Sequence, residues 1–400
     1  MAWSHKFMKT GAFAATALAA ALVLSPGTRA ADDPIVIGVP IPLTGVLAQG
    51  GQTILNGIKY YTEQTNKAGG VLGRQIKLVI EDTKSEPNTA ATAAAKLATE
   101  DKVFAFVGGY GSTADFAMLQ SLKRYKPIFI HCASSSVRIE QTFGKEDWYY
   151  HIYIWDYHRQ KAAVRFLTAI QPKVKTVALG YEDGLYGSDA AKFAEQYLKA
   201  GGFDIVMKEP FKSGSPDFSP ILSRVKSANP DAFLFVGYSG DNVQLVRQEK
   251  SLGVKPKLTI VVTSGDKRSD YGDFGVGTAE IAEWAAEEKV PGNEDWVKKT
   301  LADTGMTSIA PPFLQGYTAM ETLVDAIKAA KSTDQAAVLK ELDTLDYDTP
   351  YGKLKYRPSE AAKHQLLSDE NMVMVQFTND GEDVVLPPEK ASGKLIYPAP

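Results

Sequence analysis

Between Ile35 and Asp82 the apolar positions follow two different periods. Ile35–Val39 is a short apolar run and reads as a buried strand. A Pro/Gly/Thr loop follows. Ile54, Ile58 and Tyr61 then recur at the i, i+4, i+7 spacing of one helical face, which predicts a helix opening near Gln52. Ala68-Gly69-Gly70 stops it, and Ile76–Ile80 is a second strand closing on Glu81-Asp82. Strand, polar loop, amphipathic helix and strand make one βαβ unit, so a parallel sheet is expected. In such sheets ligands bind at the loops beyond the C-terminal ends of the strands.

The alternation continues. Helices are expected at Ala90–Leu97 and Ser112–Lys123, and strands at Val103–Val107 and Pro127–His131. A dense aromatic stretch, Trp148–Trp155, interrupts the pattern before a helix from about Arg159 to Ile170. A second series follows: strands at Lys175–Gly180, Asp204–Lys208, Asp231–Val236 and Leu258–Val262 alternate with helices at Ser188–Lys199, Asp217–Lys226 and Asp241–Ser251. Asp217 is well placed as a helix start. Each series carries Gly-Gly after its first helix, so two similar α/β lobes joined near residues 150–155 are expected. Beyond Ala279 the chain turns more helical (Asp295–Asp303, Gln315–Lys331), and Tyr351–Tyr356 and Met372–Phe377 read as hairpin strands. Further crossings between lobes are expected near Ala279–Ala285 and Asp346–Tyr351. The resulting division is 32–153 plus 284–347 for the N-terminal lobe and 154–283 plus 348–400 for the C-terminal lobe.

Residues 1–31 stand apart. Lys6 and Lys9 precede an apolar run, Gly11–Leu24, and small residues before Asp32, which is the form of a secretory signal peptide cleaved after Ala30 or Ala31. The run is too short to span a bilayer comfortably. Cys132 is the one cysteine, so no intramolecular disulfide forms, and none lies after the leader to carry a lipid. A soluble, disulfide-free exported chain points to a bacterial periplasm. A net charge of −3 and a pI near 6.0 offer no whole-chain basis for nucleic-acid or membrane-surface binding. A monomer is the default expectation.

The search for catalytic or metal chemistry is almost empty. Phosphate-loop, nucleophile-elbow and H-E-x-x-H motifs are missing, and His131, His151, His158 and His364 have no metal-ligand spacing. Glu81-Asp82 reads as a solvated strand end or a capping pair rather than a catalytic one. Gly108–Thr113 follows a strand and opens a helix, where unpaired backbone N–H groups and the positive dipole end suit a carboxylate or phosphate. Ser112 and Thr113 can add hydroxyls, although plain N-capping by Ser112 explains the loop equally well. Ser134 and Ser135 sit in a similar loop. Tyr186 and Tyr238 occupy corresponding loops of the second series, and all four loops face one cleft if the lobes oppose their strand ends.

Several blocks together resemble the branched-chain-amino-acid type of periplasmic binding protein, the type I solute receptors of ABC importers. They are IGVPIPLTGVLAQGG, NKAGGVLGRQIKLVIED, AATAAAKLATEDKVFAFVGGYGS, GYEDGLYGSDAAKF, SPDFSPILSRVKSANPDAFLFVGY and RQEKSLGV, which cover most of residues 35–265 in order. The resemblance implies an α/β fold of two Rossmann-like lobes with parallel-type sheets, three crossover segments and a ligand held between the lobes for a membrane permease. It also implies that Ser112, with Ser134 and Ser135, holds the ligand carboxylate, and that Tyr186 and Tyr238 close from the other lobe. Gln49, from the first loop, is a further candidate contact.

Two departures bear on the ligand. Amino-acid binders of the family carry an acidic residue after the strand placed here at Leu258–Val262, to meet the ligand ammonium. This chain offers Ser264 there, with Asp266 two residues on. The family's arginine after the crossover strand is replaced by Ile154, beside Tyr153, Trp155, Tyr157 and His158. A small aromatic carboxylate, benzoate- or phenylpropenoid-like, is therefore the expected ligand, its ring packing on Tyr110, Trp155, Tyr186 or Tyr238. A branched-chain or other amino acid held through Asp266 is the alternative. A sensor for a membrane signalling protein and a nucleotide-dependent oxidoreductase are the rivals from other classes. No cofactor or metal is expected.

Overall fold

The computed structural model describes residues 33–262 and 267–400. The first lobe runs β1 (Ile35–Ile41), α1 (Ala48–Lys67), β2 (Ile76–Asp82), α2 (Pro87–Thr99), β3 (Ala105–Gly108), α3 (Ser112–Leu122), β4 (Ile128–His131), α4 (Val137–Phe143) and β5 (Tyr149–His151). The strands form one sheet in the order β2-β1-β3-β4-β5, every pairing parallel. Ile37, Val39 and Ile41 on one face of β1 and Gly38 and Pro40 on the other are buried, as in a strand covered on both faces.

The second lobe opens with α5 (Asp156–Ala169), β6 (Thr176–Glu182), α6 (Leu185–Ala200), β7 (Asp204–Phe211), α7 (Ser219–Ala228), β8 (Ala232–Val236), α8 (Ser239–Ser251), β9 (Thr259–Val261), the short α9 (Arg268–Tyr271) and β10 (Ala279–Ala282). The chain then returns to the first lobe through α10 (Asn293–Thr304), α11 (Pro311–Ala330) and α12 (Gln335–Leu342). A hairpin, β11 (Asp346–Thr349) and β12 (Gly352–Lys355), follows, and the chain ends on β13 (Val373–Phe377) and β14 (Glu382–Leu386). The second sheet has the order β14-β13-β10-β9-β8-β6-β7, parallel from β7 to β10, with β13 and β14 added antiparallel.

Why α11 belongs with the first lobe can be seen at two glycines. A Cβ on Gly57 of α1 would lie 1.9 Å from the Phe313 carbonyl oxygen, and one on Gly316 of α11 would lie 2.0 Å from that of Ile54. Only a hydrogen in each place lets the two backbones touch. His364–Leu366 lie along β5 as well: Leu366 N–H donates to the His151 carbonyl at 3.0 Å, and His151 N–H to that of His364 at 3.0 Å.

Local differences from the sequence pattern have identifiable causes. Helix α2 starts earlier than expected because Pro87 occupies its first position, where the missing N–H costs nothing. Asp217 precedes α7 instead of opening it; its Oδ1 accepts the Ser219 N–H at 2.8 Å and makes a local turn. Strand β7 runs on through Pro210 to Phe211, tolerable because β7 is the edge of its sheet. The unanticipated α4 begins at Ser136, whose Oγ accepts the Arg138 N–H. Glu81-Asp82 is structural: Asp82 accepts the amides of Leu43, Thr44 and Lys84, and Glu81 pairs with Lys96. Partial burial raises the Asp82 carboxyl, but these hydrogen bonds outweigh it and leave the pKa below the usual range.

Candidate interlobe binding site

A cavity lies between the two sets of strand ends. Tyr110, Gly111, Ser112, Ser134 and Ser135 line it from the first lobe, Tyr153 from the crossover, and Arg159, Tyr186 and Tyr238 from the second lobe. Tyr110, Ser112, Ser134, Ser135, Tyr186 and Tyr238 therefore meet at one place, as the loop positions suggested.

Their chemistry differs from the expectation for the serines. Ser134 Oγ donates to Asp115 Oδ2 at 2.6 Å, and the same oxygen faces His131 Nε2 at 2.9 Å. His131 Nδ1 is in turn engaged by the Tyr149 hydroxyl at 2.6 Å. This Ser, Asp and His set is not a nucleophilic triad, because the carboxylate stands between the other two and the imidazole has no contact through which to take the serine proton. Ser134 has φ +79°, a strained position for a side-chain-bearing residue. Its carbonyl accepts from His151 Nε2 at 2.9 Å, and burial keeps that imidazole's pKa well below the usual value. Ser135 Oγ donates to Asp156 Oδ1 at 2.6 Å. Burial pushes the Asp156 pKa up to about 8.

Two of the three serines are thus committed to carboxylates, and only Ser112 keeps its hydroxyl proton for a guest. Ser112 Oγ accepts the Ser136 N–H at 3.3 Å, while its own hydrogen has no acceptor among the described residues. It opens α3, so the first amides of that helix point the same way.

Thr113, Gln49 and Trp155 correct the expectation in a different way. The structure brings none of them to the cavity wall. Thr113 Oγ1 accepts the Leu185 N–H at 3.2 Å, and Gln49 Nε2 donates to Asp270 Oδ2 at 3.0 Å; both contacts join the lobes outside the cavity. Ser136 and Arg138 add a third link by pairing with Asp189. Trp155 is fully buried and stacks on His151 with ring centroids 3.7 Å apart. Ser264 and Asp266 lie outside the described residues. Cys132 is a plain buried thiol, with burial and then Asp115 pushing its pKa up.

The residue that sequence reasoning missed is above all Arg159; Tyr153, one of the crossover aromatics already noted, lines the cavity with it. Arg159 is 1% exposed and bonds through Nη1 to the Tyr186 hydroxyl at 2.9 Å and through Nη2 to the Tyr153 hydroxyl. It lies in the first turn of α5, the positive end of the helix dipole, where a cation is electrostatically misplaced. That mismatch was the available signal. Tyr186 completes the arrangement by donating to the Val262 carbonyl, and the Tyr238 ring lies 5.1 Å from that of Tyr186 and 5.9 Å from that of Tyr110.

The two-lobed α/β fold is shared with known proteins. A match to the family model for periplasmic binding proteins extends over residues 34–382. The chain belongs to the periplasmic binding protein family. Among relatives of this family, the Leu/Ile/Val-binding protein BraC3 of Rhizobium johnstonii is 27% identical over 85% of this chain and 91% of its own length. Of solved structures, leucine binding protein LivK of Thermotoga maritima superposes with a TM-score of 0.77 at 24% identity, covering 88% of this chain and 97% of its own. A solute binding protein of an ABC transporter from R. palustris, in complex with benzoate, also scores 0.77, at 18% identity over 92% and 97%. This periplasmic binding protein is accordingly a solute receptor and not an enzyme. Among the described residues no helix is long and apolar enough to cross a membrane, and no group of His, Cys, Asp and Glu could hold a metal.

Proposed function

We propose that this periplasmic receptor binds a small aromatic carboxylate, benzoate- or phenylpropenoid-like, and delivers it to an ABC permease after export and removal of residues 1–31. One observation carries the reading: the cavity wall combines four tyrosine rings, Tyr110, Tyr153, Tyr186 and Tyr238, with the Ser112 end of α3. Aromatic walls suit a flat ring, which gains from stacked and edge contacts beyond simple burial. The hydroxyl and amides at the start of α3 suit its carboxylate. A ligand that touches both walls stabilises the closed arrangement of the lobes, so binding and closure are one equilibrium. The benzoate complex of a structural neighbour supports the same class.

An amino-acid receptor is the second reading, favoured by the names of the relatives. An ammonium group needs a carboxylate partner when buried, and among the described lining residues there is none. Calorimetric titration with benzoate, cinnamate, leucine and isoleucine decides between the two. The expected result is binding of an aromatic acid at least tenfold tighter than of leucine. Tight leucine binding with no response to either aromatic acid would overturn the reading.

A further inference from the structure

Arg159 is a buried cation whose contacts do not neutralise it. The two oxygens that touch it belong to phenols, Tyr153 and Tyr186. A tyrosine hydroxyl is neutral at physiological pH, and burial pushes that of Tyr186 further up. Asp156 and Glu283 act on the guanidinium through space. Its Nε has no hydrogen-bond partner among the described residues although it is buried. Guanidinium groups remain charged at any physiological pH and carry five N–H donors in a rigid fork. A buried charge held in this way is costly unless an anion joins it. Three further facts point in the same direction. The side chain lines the cavity; it stands at the positive end of α5, which adds to its potential; and the hydroxyls of Ser134 and Ser135 are already spent on carboxylates.

We infer that Arg159 is a ligand-anchoring, charge-selecting residue: it takes the acidic group of the bound compound directly, so that the site admits acids and rejects compounds carrying an ammonium group. Tyr153 and Tyr186 act as positioning residues. They hold two edges of the fork, and their rings lie under it, with the guanidinium carbon 5.3 Å from the Tyr153 centroid and 5.6 Å from that of Tyr186. An amino acid brought to the same place would put its ammonium beside a second cation in a site of low dielectric, which is repulsive. The inference rests on the carboxylate reading above and adds the residue responsible for charge selection.

The test compares benzoate with benzamide, a neutral compound of the same shape, by calorimetric titration of the protein and of Arg159→Gln and Arg159→Lys. Wild type is expected to prefer benzoate by roughly 30-fold or more, the usual consequence of truncating one partner of a buried charge pair. Arg159→Gln is expected to bring the benzoate to benzamide ratio close to one. Arg159→Lys is expected to keep the preference while weakening benzoate about tenfold, since an ammonium loses the planar fork. A merely structural arginine would weaken both compounds alike. A wild-type ratio near one, or an Arg159→Gln ratio equal to that of wild type, overturns the charge-selecting role and leaves the carboxylate reading intact. If wild type binds leucine and no aromatic acid, the carboxylate reading itself fails and this role with it. Should Arg159→Gln not fold, the wild-type ratio and the Arg159→Lys titration still decide the point.

Discussion

The two walls of the cavity are built on different principles. The first-lobe wall is a closed hydrogen-bond network: Ser134, Asp115, His131 and Tyr149 satisfy one another beneath the surface that faces the guest. The second-lobe wall carries a buried cation whose direct hydrogen-bond partners are neutral phenols, Arg159 on Tyr153 and Tyr186, with Asp156 and Glu283 acting on it through space. A satisfied network rigidifies its surroundings, whereas an uncompensated charge is available to bind. Residues that look alike in sequence thus divide into scaffold and contact according to whether their donors are already used: the adjacent Ser134, Ser135 and Ser136 all donate to carboxylates, whereas Ser112 does not.

The largest expected effect tests the scaffold side. Asp115→Ala leaves His131 and Ser134 buried without their shared acceptor and should cost about 3 kcal/mol of stability, measured by denaturant unfolding. A loss confined to ligand affinity would show that the first wall is not the rigid one. Replacing Ser112 should do the reverse. Ser112→Ala is expected to weaken benzoate about tenfold while lowering stability by less than about 1 kcal/mol; the corresponding Ser134→Ala should lose stability more than affinity.

A third measurement uses pH. Burial holds the folded pKa of Asp156 at about 8, far above the usual aspartate value. Below about pH 4 both folded and unfolded forms carry the proton, so the group imposes no penalty. As pH rises toward 8 the unfolded chain releases the proton first, and that share of stability is lost progressively. Asp156→Asn keeps an acceptor for Ser135 and should abolish this decline, matching wild type near pH 4 and exceeding it by at least about 1 kcal/mol at pH 8 to 9. An unchanged pH profile would mean that the carboxylate is better solvated than its burial indicates. The smallest effect belongs to the rim. Arg138 is half exposed where it pairs with Asp189 across the lobes, so Arg138→Ala should weaken ligand binding by less than about fivefold, through the closure equilibrium alone.

Much of the molecule was legible in its pattern of residues. The βαβ units announced themselves because strand and helix impose different periods on buried positions, and the Gly108–Thr113 and Tyr186 loops fall at strand ends where any parallel sheet places its ligands. Gln49 and Thr113 misled because a polar residue in a strand-end loop has the same local signature whether it meets a guest or the opposite lobe. Trp155 misled because an aromatic run carries no mark separating the wall of a cavity from the core behind it. The helix α4 was overlooked because its seven residues are too few to establish a period.

Local order along the chain was enough to determine two α/β lobes and the loops that would face each other, since secondary structure and its turn chemistry depend on near neighbours. Only the tertiary structure decided which side chains spend their donors internally and which remain open. Hydrogen-bond satisfaction is settled by partners far away in sequence: Asp115 for Ser134, and Tyr186, from the helix after β6, for Arg159. For that reason the residue with the most to offer an acidic guest was the one that the linear pattern left unremarked.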